Sequence, residues 1–252
     1  MRTRIVSTAT KTIAALVLGA GLAAGTPVLA TETKAVVELF TSQGCSSCPP
    51  ADALIAEYAQ RDDILALSYP VDYWDYLGWK DTLASHENTE RQRSYAAARG
   101  DRQVYTPQVV VNGREHMVGS NKSAIDGAID RLSGSLSVPI TMTAGSDTTK
   151  VTIGAANNGT PDKGMIWLAM YDDPVTVPIG RGENTGKTIT YTNVVRKLRP
   201  IAMWKGEEMT VELPKSEMMH ADVSRCAVIL QTELPDGLPG PILGAAAIDY
   251  EN

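Results

Sequence analysis

The sequence predicts an α/β domain with the element order β-α-β-α-β-β-α, followed by an all-β, sandwich-like second domain. Three observations predict it. Residues 35 to about 134 alternate short apolar runs with amphipathic stretches. Cys45 and Cys48 fall at the junction between the first apolar run and the first helical stretch. From about Ser137 onward, short strand-like runs recur between clusters of Gly, Pro, Asn and Asp.

The elements follow in order. Ala35 to Phe40 is apolar and partly β-branched, which suits a buried strand. Gly44 turns the chain, and Pro49 and Pro50 fit the first turn of a helix, where a missing N–H costs nothing. Leu54, Ile55 and Tyr58 give that helix an apolar face. Ile64 to Leu67, bounded by Asp63 and Pro70, reads as a strand covered on both faces. A long aromatic loop leads to a helix around Asn88 to Arg99. Val109–Val111, Asn112-Gly113 and Met117-Val118 read as a hairpin with a two-residue turn. Ser120 or Asn121 caps a last helix lined by Ile125, Ala128, Ile129 and Leu132, with Gly134 at its end.

This is the element order of the thioredoxin fold, so residues 31–136 are expected to form a thioredoxin-like domain. Beyond it, Val138–Thr143, Lys150–Ile153, Met165–Tyr171, Thr188–Val195, Met209–Leu213, Cys226–Gln231 and Ala245–Tyr250 are the strand-like runs. Seven such runs suggest an antiparallel β-sandwich over residues 137–252.

The first thirty residues read as a signal peptide instead of as fold. Arg2, Arg4 and Lys11 are its charges, an apolar run spans Ile13 to Ala24, and Val28-Leu29-Ala30 offers the small-residue cleavage pattern. The apolar run is short for a membrane span, so the expectation is a periplasmic or secreted protein with no membrane insertion after cleavage. Removing residues 1–30 leaves 20 Lys plus Arg against 29 Asp plus Glu, a net charge of −9. That balance argues against nucleic acid or an anionic membrane as partner. Three cysteines remain in a compartment where disulfides persist, and an odd count leaves one thiol over.

Cys45-Ser46-Ser47-Cys48 at a strand-to-helix junction carries a mechanism. A helix N-terminus bears partial positive charge and favours the thiolate, which is the reacting species. Cys45, before the helix, is expected to be the exposed nucleophile. Cys48, in the first turn, is expected to be the more buried resolving thiol that releases a mixed disulfide on Cys45. Thr106-Pro107 precedes an antiparallel strand whose start lies beside Cys45 in this element order, so a cis bond there would present the Thr106 backbone to a substrate. Tyr73, Trp74, Tyr76 and Trp79 follow the second strand and emerge at the same edge, where they form either a lid or wall of a substrate groove or a loop that covers the sheet edge or docks the second domain. The expected partners are protein or small-molecule thiols and disulfides. No organic cofactor is implied, since no phosphate loop or dinucleotide fingerprint occurs.

The remaining chemistry-bearing residues are read more plainly. His86, His116 and His220 lack the spacing of a closed zinc site. Met218-Met219-His220 is the one other cluster of soft or imidazole ligands, and it reads as loop. Cys226 begins an apolar run and reads as a buried, inert thiol. Asn193 and Arg196 are candidates for tying the two halves together.

The segments Glu38–Asp52, Val71–Asp81, Arg91–Ala96, Val104–Gln108, Gly182–Lys187 and Asn193–Arg196 resemble those of a secreted bacterial family known only as domain of unknown function 1223. The resemblance covers essentially the whole mature chain. It implies a thioredoxin-like fold, export and a redox-type motif, and no established substrate or reaction. Gly44 stands where thioredoxins have Trp. Leu39 stands where they have a buried acid that assists proton transfer, with Glu38 one position off and turned to the other face of the strand. Three functions follow as alternatives: a thiol–disulfide oxidoreductase, a non-enzymatic binding or assembly module with a structural disulfide, and a Cu(I)-handling protein using the two thiolates.

Overall fold

A computed structural model describes residue 1 and residues 33–157, 159–172, 174–218, 223 and 225–250. The expected signal peptide, Met1 aside, and His220 lie outside the described residues. Residues Thr31–Asn252 form one compact unit. Among the described residues no helix is long and apolar enough to cross a membrane.

The first half of the unit runs β1 (Ala35–Thr41), α1 (Pro49–Tyr58), β2 (Ile64–Pro70), α2 (His86–Arg99), β3 (Gln108–Val111), β4 (Glu115–Val118) and α3 (Lys122–Arg131). The second half runs β5 (Ile140–Ala144), β6 (Thr148–Ile153), β7 (Gly164–Tyr171), β8 (Val175–Pro178) and β9 (Thr188–Tyr191). It continues through β10 (Val195–Trp204), β11 (Met209–Pro214), α4 (Lys215–Met218), β12 (Arg225–Glu233) and β13 (Pro239–Asp249). The helix starts follow their sequence: Pro49 and Pro50 open α1, the Ser85 hydroxyl accepts from the Asn88 N–H, and the Asn121 side chain accepts from the Ala124 N–H.

The first sheet has the order β2-β1-β3-β4, with β1 and β2 parallel and the other pairs antiparallel. All seven residues of β1 are buried, as are all seven of β2. Strand alternation explains how. Ala35, Val37 and Leu39 point to one face and pack with Leu54, Ile55 and Tyr58 of α1 and Ile125, Ala128 and Ile129 of α3. Val36 and Phe40 point to the other face, with Leu67, Tyr69 and Val110. That face shares a core with Tyr95 of α2 and with Ala169, Val195, Ala227, Ile229 and Ile242 of a second sheet. The second sheet has the order β10-β7-β12-β13. Its other side packs on a third sheet, β11-β6-β5, through Val151, Ile153, Ile166, Leu168, Val228, Leu230 and Leu243. β8 and β9 form a separate two-stranded ribbon.

This architecture corrects the fold class expected from the sequence. The described residues are 41% strand and 21% helix, in thirteen strands and four sheets, which does not fit an α/β thioredoxin fold followed by a separate all-β domain. The physical reason is the covering of the first sheet. One face is closed by helices, but much of the other is closed by the second sheet, so one apolar core joins residues on both sides of position 137. Periodicity marks a strand as buried on two faces without saying what buries it.

Details of the second half differ as well. β8 and most of β10 were not legible as strands, and the run expected to span Thr188–Val195 is interrupted after Tyr191. The β3–β4 connection is three residues, Asn112-Gly113-Arg114, with Val111 paired to Glu115, and not the expected two. Asn112 and Gly113 both adopt positive φ, 50° and 63°. Gly113 also lies where a Cβ would meet the Gly240 carbonyl oxygen at 2.7 Å, so the turn must pass close to β13.

Polar joints hold the sheets together. The Asn112 side chain accepts from the Val36 N–H at 2.7 Å and donates to Ser135 at 3.0 Å, while its backbone carbonyl accepts from Ile242 at 3.0 Å. Asn193 donates to the Ala66 carbonyl at 2.9 Å, and its own carbonyl accepts from the Ser68 N–H at 2.9 Å. Asn193 thus links the two halves. Arg196 instead pairs with Asp172, within the second half. Between α2 and the sheets, buried Glu38 accepts from Arg91 at 2.7 Å and from the Tyr95 hydroxyl at 2.5 Å, and Gln231 of β12 donates to Tyr95 at 2.9 Å.

Candidate functional site: the Cys45–Cys48 disulfide and its surroundings

β1 ends at Thr41, and the chain turns through Ser42-Gln43-Gly44 to reach α1. The turn is held locally: the Ser42 hydroxyl accepts from the Gly44 N–H at 3.1 Å, and the Ser42 carbonyl accepts from Cys45 at 3.1 Å. Gly44 is needed for closeness, because a Cβ there would stand 3.0 Å from the Cβ of Trp74. Cys45 and Cys48 form a disulfide with Cα atoms 5.4 Å apart, and Cys48 is the residue that caps α1. Pro49 and Pro50 carry no N–H, so the first free helix donors are those of Ala51 and Asp52, and both go to the Cys48 carbonyl.

The structure brings several of the predicted residues together here. The Thr106–Pro107 bond is cis. The Ser47 hydroxyl approaches the Thr106 carbonyl at 3.5 Å, and the Trp74 indole N–H donates to the Thr106 hydroxyl at 2.8 Å. The Tyr76 ring stacks on Trp74 at 6.4 Å and is 77% exposed, and the Tyr73 ring lies tilted to Trp74 at 6.1 Å. Trp79 does different work. Its indole donates to the Gln43 side chain at 2.8 Å, and its ring lies where a methyl group on Gly180 would meet it at 3.1 Å. Trp74 lies beside the motif and carries Tyr76 on its ring, whereas Trp79 fastens the loop to Gln43 and to the segment after β8.

One expectation is overturned. Cys45 was expected to be exposed and is 1% exposed in the disulfide state; Cys48 is fully buried. The outward surface of the motif is Ser46-Ser47. The segment 182–187, 139 residues further along, rests on the backbone of the motif. Asn184, itself fully buried, donates its side-chain amide to the carbonyls of Gln43 and Cys45, both at 2.9 Å. A Glu183 carboxylate oxygen accepts from the Ser46 N–H at 3.2 Å, and Lys187 donates to Asn184 at 2.8 Å. Gly182 and Gly186 adopt positive φ at either end of this strap. Sequence reasoning missed its role, since nothing local in Gly-Glu-Asn-Thr-Gly-Lys points to a contact so far away.

A second missed residue is Asp52, four positions after Cys48 in α1. It is 1% exposed. Its Oδ1 accepts from the Thr41 hydroxyl at 2.7 Å, and its Oδ2 has no hydrogen-bond partner among the described residues. Burial pushes its carboxyl up to about 7, against the Thr41 hydrogen bond, with Asp81 adding repulsion. Here a signal did exist: an acid four residues from a helix-capping cysteine lies on the same helix face.

The other candidates stand apart. His86 pairs with Asp72 at 3.0 Å and with Glu90 at 3.5 Å. His116 contacts Tyr105, and burial lowers its ring below the usual imidazole range. Cys226 is buried and unpaired, and burial pushes its thiol up to about 12.

Residues 36–231 match the family model described as Protein of unknown function (DUF1223). A crystal structure of a protein from Agrobacterium tumefaciens is similar over 88% of this chain and 96% of that one, with 40% sequence identity and a TM-score of 0.79. The structure of HBP35 of Porphyromonas gingivalis is similar over 87% of this chain and 76% of that one, at a TM-score of 0.57. Its 13% identity makes that a likeness of fold. No curated protein matches the chain.

Proposed function

Since the chain belongs to the DUF1223 family, whose description names no activity, we propose its function from the site: Cys45 and Cys48 exchange electrons with the thiols or disulfides of a protein or small-molecule partner. The observation that carries this reading is the Cys45–Cys48 disulfide, formed across two residues at the start of α1. So short a loop contributes little as a staple, roughly 2 kcal/mol by loop entropy, which favours a chemical role. The leader-like residues 1–30 support a periplasmic or secreted location.

In the reducing direction, the Cys45 thiolate attacks a partner disulfide. A Cys45–partner bond forms, and one partner thiolate leaves and is protonated. Cys48 then attacks the Cys45 sulfur, closing the internal disulfide and expelling the second partner thiolate. The partner gains two electrons, and the two cysteines lose them. The reverse sequence oxidises a partner dithiol.

The buried Cys45 adds a condition, and in this reading the 182–187 strap, which holds the Gln43 and Cys45 carbonyls, lifts to let a partner sulfur reach it. Lifting also takes the Glu183 carboxylate away from the Ser46 N–H, removing an anion from the place where a Cys45 thiolate would form. Trp74, Tyr76 and the Thr106 backbone then supply a wall beside the exposed sulfur. The burial of Cys45 equally favours a second reading, in which the disulfide is structural and the strap is its permanent lid.

Alkylation of the reduced native protein separates the two. Exchange chemistry predicts that Cys45 is modified well below the pH an ordinary thiol requires, that Cys45→Ala abolishes exchange with a model disulfide, and that Cys48→Ala accumulates mixed disulfides. A Cys45 that resists alkylation in the folded, reduced protein overturns exchange and leaves the structural disulfide.

A further inference from the structure

We propose that Asp52 is the proton acceptor for Cys48, taking the thiol proton when Cys48 attacks the mixed disulfide and returning it when the internal disulfide opens. This deepens the exchange reading and rests on it.

Position comes first. Cys48 has helical backbone angles, φ −78° and ψ −35°, and the Asp52 N–H donates to its carbonyl at 3.1 Å. Residues four apart on a helix lie one above the other, so Asp52 and Cys48 share one face at the start of α1. Both side chains are sealed from solvent, at 0% and 1% exposure. A thiol there cannot hand its proton to bulk water, so a neighbouring base must take it.

Availability comes second. One Asp52 oxygen is held by Thr41 and the other has no donor among the described residues. A buried carboxylate with an unpaired oxygen is costly, and no packing role explains it. The titratable groups facing it are Asp81, from the loop after β2, and Tyr191 of β9, whose hydroxyl also has no partner among the described residues. β1 and β2 turn Glu38 and Tyr69 to their other face and offer Asp52 only Thr41 as a polar partner. No cation stands among the groups that shift Asp52, so the site is suited to exchanging a proton near neutral pH. The proton balance is simple: Cys48–SH plus Asp52–COO⁻ gives Cys48–S⁻ plus Asp52–COOH, and the thiolate then displaces the partner thiolate from Cys45.

The test isolates the second half-reaction. Cys45 of the reduced full chain is capped with a thionitrobenzoate disulfide, and release of the coloured thiolate by Cys48 is followed against pH. The wild-type rate is expected to inflect near pH 7. In Asp52→Asn the inflection should vanish and the rate at pH 7.5 should fall at least about tenfold. An unchanged profile in Asp52→Asn overturns the role of Asp52 and leaves exchange standing. Absence of release in both proteins overturns exchange and Asp52 together. Should the variant fail to fold, infrared titration of the wild-type carboxyl decides: a curve that shifts between the oxidised and reduced protein supports the proposal, and identical curves overturn it.

Discussion

Asn184 donates its side-chain amide to the backbone carbonyl of Cys45 at 2.9 Å, across 139 residues of sequence. The same amide satisfies Gln43, so one buried side chain fixes the last turn before α1 from outside. The disulfide is therefore positioned by the second half of the chain as much as by the first.

Asn184→Ala leaves the Gln43 carbonyl without its donor and the Cys45 carbonyl with the Cys48 N–H alone. The folded state should lose about 1–3 kcal/mol, read as a lower urea midpoint. The Cys45–Cys48 disulfide should also be reduced faster by dithiothreitol, because the strap that holds the motif's backbone is loosened. Equal reduction rates would show that the strap does not control access.

Asp52 makes stability depend on pH. Its folded carboxyl, raised from 3.8 to about 7, keeps a proton that the unfolded chain has lost between those values. Its contribution is therefore full below about pH 4 and falls as pH rises towards 7. The span corresponds to about 4 kcal/mol. Asp52→Asn should flatten the loss of stability between about pH 4 and 7 in the oxidised protein, measured by urea unfolding at each pH.

Arg91→Ala removes the ion-pair partner of Glu38, which is buried beneath α2. The expected cost is about 3–5 kcal/mol, with the disulfide still forming. Unfolding curves report the first part, and mass spectrometry of the unreduced protein reports the second.

Cys226 should stay unlabelled by iodoacetamide at pH 8 in the native protein and react fully in urea. Its thiol is buried, is pushed up to about 12, and donates to the Met218 carbonyl at 3.2 Å. Labelling without denaturant would show that β12 opens in the native state.

Local chemistry was legible in the sequence, and distant covering was not. Pro49-Pro50, the Asn121 cap and the strand runs around Val37, Leu67 and Val110 declare their elements through φ restriction, side-chain acceptors and β-branching. The Cys45-Ser46-Ser47-Cys48 motif and its closeness to Thr106-Pro107 could be placed from element order. The exposure of Cys45 could not, because it depends on which distant loop rests on the motif. Asn184 shows the difficulty: an Asn between two glycines reads as a turn, and its two carbonyl partners exist only in the folded chain. The fold class failed for the same reason. Val36 and Phe40 announce a buried face, and nothing in their own spacing names Ile229 and Ile242 as its cover.

That shared covering also limits how the chain can be divided. A fragment stopping near residue 136 would strip Ala169, Val195, Ala227, Ile229 and Ile242 from the face formed by Val36, Phe40, Leu67, Tyr69 and Val110, leaving α2 as its main cover, and strand the Asn112 carbonyl without Ile242. It would be a sticky half-protein rather than a portable redox cassette. Any gene fusion or excision that treats the cysteine-bearing half as a self-sufficient module should yield aggregates.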